Sequence, residues 1–348
     1  MTRPLVRAIV ATSLGGLGLA GCATPSVLPP RDAQLVAGKT YVITGASSGF
    51  GRGVALAVGR YRANVVLAAR RGEVLEQVAS EIRAVGGTAL VVVTDVSRSE
   101  DIDRLKRAAL GKYGRIDIWI NNAAVGTIGR FDTVPLADHA RVIDVNVKGV
   151  IFGSHAALTQ FRAQGYGTLI NIGSVESKVP LAYHSSYTAS KHAVLGLSEA
   201  LSQELRLDGQ KHIKVVTVMP WAADTAFWQH AANYSGRTPR MPWMDKPDKV
   251  VDAITWMSIH PRKRISVGWK AEAVAVGDHI LPGLTEHVAA DIAHGFQIDR
   301  GPVAPNTSGS LHQPITKGTG VEGGNRERIR QEERALKGKA PVPPLQSD

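Results

Sequence analysis

The chain has 348 residues, 44% of them apolar and 20% charged, which is enough for one large globular domain or two. Its formal charge is +11 (41 Lys and Arg against 30 Asp and Glu). The basic residues are scattered and not interleaved with aromatics, which argues against a nucleic-acid surface and fits better a face turned toward anionic lipid.

At the N-terminus Arg3 and Arg7 flank the start of an apolar run, residues 8–20, too short for an easy membrane span. The run ends Leu19-Ala20-Gly21-Cys22, and Cys22 is the sole cysteine, so an intramolecular disulfide is excluded. This segment resembles a bacterial lipoprotein signal. The resemblance implies an acylated Cys22 and a protein anchored to membrane in the bacterial cell envelope; the alternative is a cytoplasmic protein. Residues 23–37, with Pro25, Pro29 and Pro30, read as a Pro-rich tether.

From residue 38 to about 270, apolar runs alternate with helical patterns. Strands are predicted at 40–44, 64–69, 88–94, 116–121, 168–172, 213–219 and 265–269. Helices are predicted at 51–61, 73–85, 99–112, 137–164 and 187–207. The strands are nearly continuous Val, Ile and Leu, as in strands buried on both faces. This is the pattern of a single α/β domain, a Rossmann-type doubly wound parallel sheet of about seven strands with helices on both faces. Residues 271–300 read as a C-terminal helical extension broken by Pro282, and residues 301–348, rich in Gly, Pro, Ser and Thr, as an extended or disordered tail. A short helix at Asn325–Leu336 fits within that tail.

The first strand runs into Thr44-Gly45-Ala46-Ser47-Ser48-Gly49-Phe50-Gly51, followed by a helix. Glycines there permit a tight turn and let the backbone approach a pyrophosphate at the helix N-terminus. The second strand ends Ala69-Arg70-Arg71. A sheet that reads NAD places a carboxylate here for the ribose hydroxyls; two guanidinium groups suit a 2′-phosphate instead, pointing to NADP(H). Further on, Ser174 follows an apolar run, at the strand end where open α/β sheets bind ligands. Tyr187 and Lys191 stand at i and i+4 of a predicted helix, one turn apart on one face. A neighbouring ammonium favours the phenolate and brings a tyrosine toward acid–base work near neutral pH.

Together these segments resemble the short-chain dehydrogenase/reductase family over roughly residues 38–270. The glycine segment matches its cofactor glycines, Asp95-Val96 the pair flanking the adenine, and Asn121-Asn122-Ala123-Ala124 its Asn-Asn-Ala-Gly segment with Ala124 in place of glycine. Asn146, Ser174, Tyr187 and Lys191 match its catalytic tetrad in order and spacing. Pro220 and Thr225 match the Pro-Gly-x-x-x-Thr segment that meets the nicotinamide, with Trp221 replacing the glycine. The resemblance implies carbonyl–alcohol interconversion by hydride transfer, with Tyr187 as acid or base and Lys191 lowering its pKa and binding ribose. It further implies that Ser174 bonds the reacting oxygen and that Asn146 holds a proton-relay water. Cofactor contacts are then expected from Thr44, Gly45, Ser47, Ser48, Gly49, Phe50, Gly51, Arg70, Arg71, Asp95, Val96, Asn122, Ala123, Tyr187, Lys191, Pro220 and Thr225. By family analogy the protein is a homo-oligomer with a small-molecule substrate.

Residues 222–244 fall where the family carries its substrate lid. They hold Phe227, Trp228, Tyr234 and Trp243, which suggests a bulky apolar substrate or rings that pack the lid. The segment 272–294 could cap the pocket, rest on a membrane or pack against a second subunit, with simple packing favoured. His279, His287 and His294 lack companion carboxylates at ligand spacing, so no metal is expected. Gly173-Ser174-Val175-Glu176-Ser177 is not the G-x-S-x-G of a serine hydrolase. The non-catalytic alternative is a dinucleotide-binding sensor or scaffold that kept the fold. A lipoprotein signal also conflicts with a cytoplasmic NADP(H) supply, and no twin arginine precedes the apolar run.

Overall fold

The computed structural model describes residues 28–336. The lipoprotein-like segment with Cys22, the first five residues of the expected tether and the last twelve residues of the chain lie outside them. Helix α1 (Pro30–Val36) opens the described chain, with proline at its first turn where the missing N–H costs nothing. The tether expected over 23–37 is therefore a helix at its C-terminal end. Leu28 and Val36 are buried in the core, and the Leu28 N–H bonds the Tyr61 hydroxyl. Burial of these two apolar side chains decides against a free linker.

Alternation then proceeds as the hydrophobic periods dictate: β1 (Thr40–Thr44), α2 (Gly49–Arg60), β2 (Asn64–Ala69), α3 (Gly72–Ala84), β3 (Thr88–Val93), α4 (Ser99–Tyr113) and β4 (Ile118–Asn121). A two-residue strand, β5 (Thr127–Ile128), precedes α5 (Leu136–Ile143) and α6 (Gly149–Gln164). The single helix expected over 137–164 is these two joined by one π-turn, Asp144–Lys148. Next come β6 (Gly167–Ile172), α7 (Ser185–Leu207), β7 (Ile213–Pro220), the short α8 (Phe227–His230), β8 (Ala232–Asn233), α9 (Asp248–Ile259) and β9 (Arg264–Val267). The hairpin of α10 (Trp269–Ile280) and α11 (Pro282–His294) follows, and α12 (Asn325–Leu336) ends the described chain. Helix α9 was not anticipated.

The main sheet has seven strands in the order β3-β2-β1-β4-β6-β7-β9, all parallel. Neighbouring residues of a strand face opposite sides, and both sides are covered. On one, Ile43 and Leu67 meet Val54, Leu75 and Ile254 from α2, α3 and α9. On the other, Val42, Val66 and Trp119 meet Leu105 and Phe161 from α4 and α6. This double burial is why the strands read as unbroken apolar runs. The order reverses between β1 and β4, and at such a switch point the carboxyl ends of adjacent strands open a crevice. The Gly45 loop and the Asn121–Asn122 segment flank it.

Residues 301–324 run extended, as their composition suggests, but they are fixed against the body and not disordered. Thr307 and Val303 bridge antiparallel to Asn233 and Arg237. The Gly49 N–H donates to the Gly320 carbonyl at 2.9 Å, and Arg52 Nη1 to the Thr319 carbonyl at 2.8 Å. Asp224 caps α12, accepting from the Asn325 N–H at 2.7 Å, Asn325 Nδ2 at 2.9 Å and the Arg326 N–H at 3.0 Å. Helix α12, whose bounds agree with the sequence, sets Glu332 3.3 Å from the buried guanidinium of Arg240. The segment has little core of its own and is ordered by hydrogen bonds to groups far away in sequence, which composition does not register.

Candidate active site

Thr44 ends β1, and its hydroxyl accepts the N–H groups of Asn122 and Ala123 while donating to the Ile120 carbonyl. Asn122 returns its side-chain amide to the carbonyls of Thr44 and Gly45. These two residues therefore build the loop that they were expected to lend to a ligand. The loop is tight. Gly45 has φ +67°, and a Cβ on Gly51 would lie 2.4 Å from the Gly45 carbonyl oxygen. Only hydrogen at these positions lets the first turn of α2 come so close to the strand end.

A cavity of about 1590 Å3 starts at this loop and runs along the sheet edge to the α10–α11 hairpin. Of the residues expected to hold a dinucleotide, all but Thr44 and Gly51 border it. At one end Arg71 Nη2 donates to the hydroxyls of Ser47 and Ser48, both at 3.0 Å. Burial pushes both Arg70 and Arg71 below the usual guanidinium range; for Arg71 the neighbouring Arg70 and Arg52 add to it. No carboxylate among the described residues lies within salt-bridge distance of either. Asp95 sits beside them, bonded by Ser97 and by Arg141 at 2.7 Å. Burial works to raise its carboxyl, and those bonds more than offset it.

In the middle of the cavity, β6 delivers Ser174 and α7 delivers Tyr187 and Lys191 on one face. Lys191 Nζ donates to the Ile172 carbonyl at 2.8 Å and lies 5.4 Å from the centre of the Tyr187 ring. Burial pushes the ammonium down to about 8, against an opposing pull from Glu176. It pushes the Tyr187 phenol well above its ordinary value, Glu176 adding to the rise and Ser174 opposing it. The shift is thus upward, opposite to the lowering expected from a neighbouring Lys191, and burial is its largest cause. Ser174 Oγ accepts the Glu176 N–H, which leaves its own proton to donate elsewhere.

Asn146 does not border the cavity. It sits in the π-turn, a feature common at functional sites. Its Oδ1 accepts the Val125 N–H and its Nδ2 donates to the Val125 carbonyl and Ser190 Oγ, all within 3.0 Å. Both amide hydrogens are thereby committed to Val125 and Ser190, and the side chain anchors the loop after β4.

The far end of the cavity is apolar. The Phe227 ring lies 5.2 Å from that of Tyr187, tilted by 53°, and Trp228, Trp243 and Trp221 complete a wall. Tyr234, expected among them, turns away and bonds Asp138. Leu284, Val288 and Ile292 of the hairpin close the opposite side, so the segment thought to favour simple packing borders the cavity. Trp269 and Ile280 remain 67% and 65% exposed at its mouth.

Two features escaped sequence reasoning. Glu176 is buried beside the tetrad, its carboxylate bonded to Thr188 at 2.7 Å and His184 at 3.1 Å. Ser310, Pro314 and Ile315 of the C-terminal segment border the arginine end. Neither carries a local sequence signal; only the fold brings them in.

A family model for short chain dehydrogenases matches residues 39–234, more than half the chain. The chain belongs to the short-chain dehydrogenase/reductase family. It is an oxidoreductase of this type, and a nicotinamide dinucleotide is the cofactor typical of the family. Its sequence is 33% identical to the uncharacterized oxidoreductase YxnA of Bacillus subtilis over 78% of this chain and 77% of that one. It is also 33% identical to 3beta-hydroxysteroid dehydrogenase 1 of Eggerthella lenta, over 64% of this chain and 87% of that one. A metagenomic short-chain oxidoreductase solved in complex with NADP superposes with TM-score 0.57 at 30% identity, over 70% of this chain and 98% of the other.

Proposed function

We propose that the protein interconverts a carbonyl and a secondary alcohol on a bulky, apolar small molecule, with NADP(H) preferred. The observation that carries this is one continuous cavity with two guanidinium groups at one end, Tyr187 in the middle and an apolar wall at the other. Its volume exceeds the ~300–1,000 Å3 of a single small-ligand site, which suits a dinucleotide and a substrate side by side. The glycine cradle, which a Cβ would fill, and the arginine pair, to which no carboxylate among the described residues forms a salt bridge, both fit a phosphorylated dinucleotide. When bound, that group supplies or accepts the hydride.

The chain's own residues handle the proton and the charge. The raised Tyr187 phenol is protonated throughout the neutral range and is the group that donates to a carbonyl oxygen as it becomes an alkoxide. Ser174 donates a hydrogen bond to the same oxygen as charge develops. Lys191, cationic below about pH 8, holds positive charge beside the Tyr187 ring and would bind the ribose of the dinucleotide. Phe227 and Trp228 exclude water and favour an apolar substrate. The resemblance to a hydroxysteroid dehydrogenase supports a rigid hydrophobic substrate class. Attachment to the cell envelope through an acylated Cys22, and assembly as a homo-oligomer, complete the proposal. Intact Cys22 on protein recovered from the soluble cytoplasmic fraction would count against the anchor.

Parallel titrations with NADPH and NADH, following bound nicotinamide fluorescence, test the cofactor assignment. NADPH binds more tightly, and Arg70→Asp abolishes the preference. Tyr187→Phe keeps the binding and loses turnover in a screen of hydrophobic ketones. Turnover surviving in that variant would sink the assigned acid; binding of neither dinucleotide would leave a scaffold as the better account.

A further inference from the structure

Resting on that reading of the arginine end, we propose that residues 310–324 are a working part of the dinucleotide site. They form a strap that closes the adenosine end and lifts for the dinucleotide to exchange. The strap addresses the very residues that read the 2′-phosphate. Arg70 Nη2 donates to the Ser310 carbonyl at 2.5 Å, and Nη1 to those of Leu311 and His312 at 3.2 and 3.1 Å. Arg71 Nη1 donates to the carbonyls of Ile315 and Lys317, both at 3.2 Å. Arg141, the partner of Asp95, donates through Nε to Leu311 at 3.1 Å.

These acceptors are neutral. They solvate and orient the two guanidinium groups without cancelling their charge, so an incoming phosphate remains attractive to a pre-aimed fork. The strap also bounds the cavity and does not fill it: Ser310, Pro314 and Ile315 line it together with Asp95 and Val96. A dinucleotide lying there is enclosed on a side where the sheet edge alone leaves it open.

The strap is pinned at its ends and held in the middle by backbone carbonyls. At the first pin, Gly309 has φ +53°, and a Cβ there would lie 2.3 Å from the His230 carbonyl, which accepts the Ser310 N–H. At the second, Asp224 accepts from Asn325 and Arg326. Both pins fall on residues 224–230, the stretch that also carries Phe227. Lifting the strap therefore frees the segment that walls the substrate end.

The test uses the full chain. NADPH is bound, excess NADP+ is added, and the loss of bound nicotinamide fluorescence is followed by stopped flow. Gly309→Ala and Asp224→Ala each undo one pin, the first by crowding the His230 carbonyl and the second by removing the carboxylate that accepts from Asn325 and Arg326, and neither residue borders the cavity. The double variant is expected to release NADPH about tenfold faster than the parent, two hydrogen-bonded anchors being lost. Arg52→Ala removes one strap bond at the surface and serves if the double variant does not fold; it is expected to release about threefold faster. Hydrogen exchange over 305–325 should slow when NADPH binds the parent. Unchanged release with NADPH still bound would overturn the strap alone, and tighter binding in the variants would show it to be a competitor of the dinucleotide. If no form binds NADPH or NADH, the functional reading falls and the strap falls with it.

Discussion

Replacing Gly51 with alanine asks how finely the crevice is built. The added Cβ would lie 2.4 Å from the Gly45 carbonyl oxygen and 2.6 Å from Asn122 Nδ2, whereas ordinary contacts begin at 3.4 Å. Either α2 or the β1 loop must retreat by 3.4 − 2.4 = 1.0 Å. Neither yields easily: the oxygen is backbone, and the Asn122 amide is tied to the carbonyls of Thr44 and Gly45. Overpacking of this kind costs about 1–3 kcal/mol of stability. A 1 Å misplacement of a positioning element costs about 100-fold in rate, or roughly 2.7 kcal/mol of transition-state stabilisation. Gly196→Ala in α7 is the matched control, because its Cβ meets nothing within 4 Å. There the same methyl group should stabilise by about 0.5–1 kcal/mol through the helix preference of alanine over glycine. Chemical denaturation and dinucleotide titration of the two variants give the comparison. Gly51→Ala with unimpaired binding, or a Gly196→Ala equally damaged, would refute the claim that close backbone approach defines this crevice.

The pH dependence follows from Lys191, whose ammonium is lost as pH rises through about 8. Cofactor affinity and kcat/KM for reduction should fall above that point. Stability should move oppositely, rising between about 8 and the unfolded lysine value of about 10.4, because the unfolded chain there binds more protons; a flat kcat/KM profile to pH 9.5 would contradict this. Val288→Glu places a charge at the apolar mouth, so KM for hydrophobic ketones should rise while NADPH affinity stays, measured side by side. Glu332→Ala leaves the guanidinium of Arg240, only 1% exposed, with Glu333 at 3.9 Å as its remaining carboxylate. Opening of α12 should become easier by about 3 kcal/mol, read as faster amide exchange over 325–336.

Much of the fold was legible because burial on both faces writes itself into the strands: β1 and β2 have the bounds their apolar runs give. The Tyr187–Lys191 pair was legible through spacing, since i and i+4 on α7 is a local property. Helix α9 also carried its signal, with Val250, Val251, Ile254 and Met257 at helical spacing after Pro247, but it lies beyond an irregular lid that obscured the alternation. What stayed hidden depends on distance in sequence. Asn146 turns toward Val125 through a π-turn that adds a residue to one helical turn. Glu176 acts on Tyr187 and Lys191 only because the fold buries all three together. The C-terminal segment looked solvated because its order comes from Arg52, Arg70 and Arg71, more than 200 residues upstream.

That separation has a consequence for synthesis. The last strand of the sheet ends at Val267 and the Gly323 N–H that meets Asp224 comes 56 residues later. At about 5–20 residues per second, the ribosome needs roughly 3–11 s to make the interval. During that time β1, α2 and the arginines already exist while the segment that covers them does not. Each newly made molecule thus passes once through an uncovered state, in which a dinucleotide from the compartment of synthesis can enter before the chain is finished.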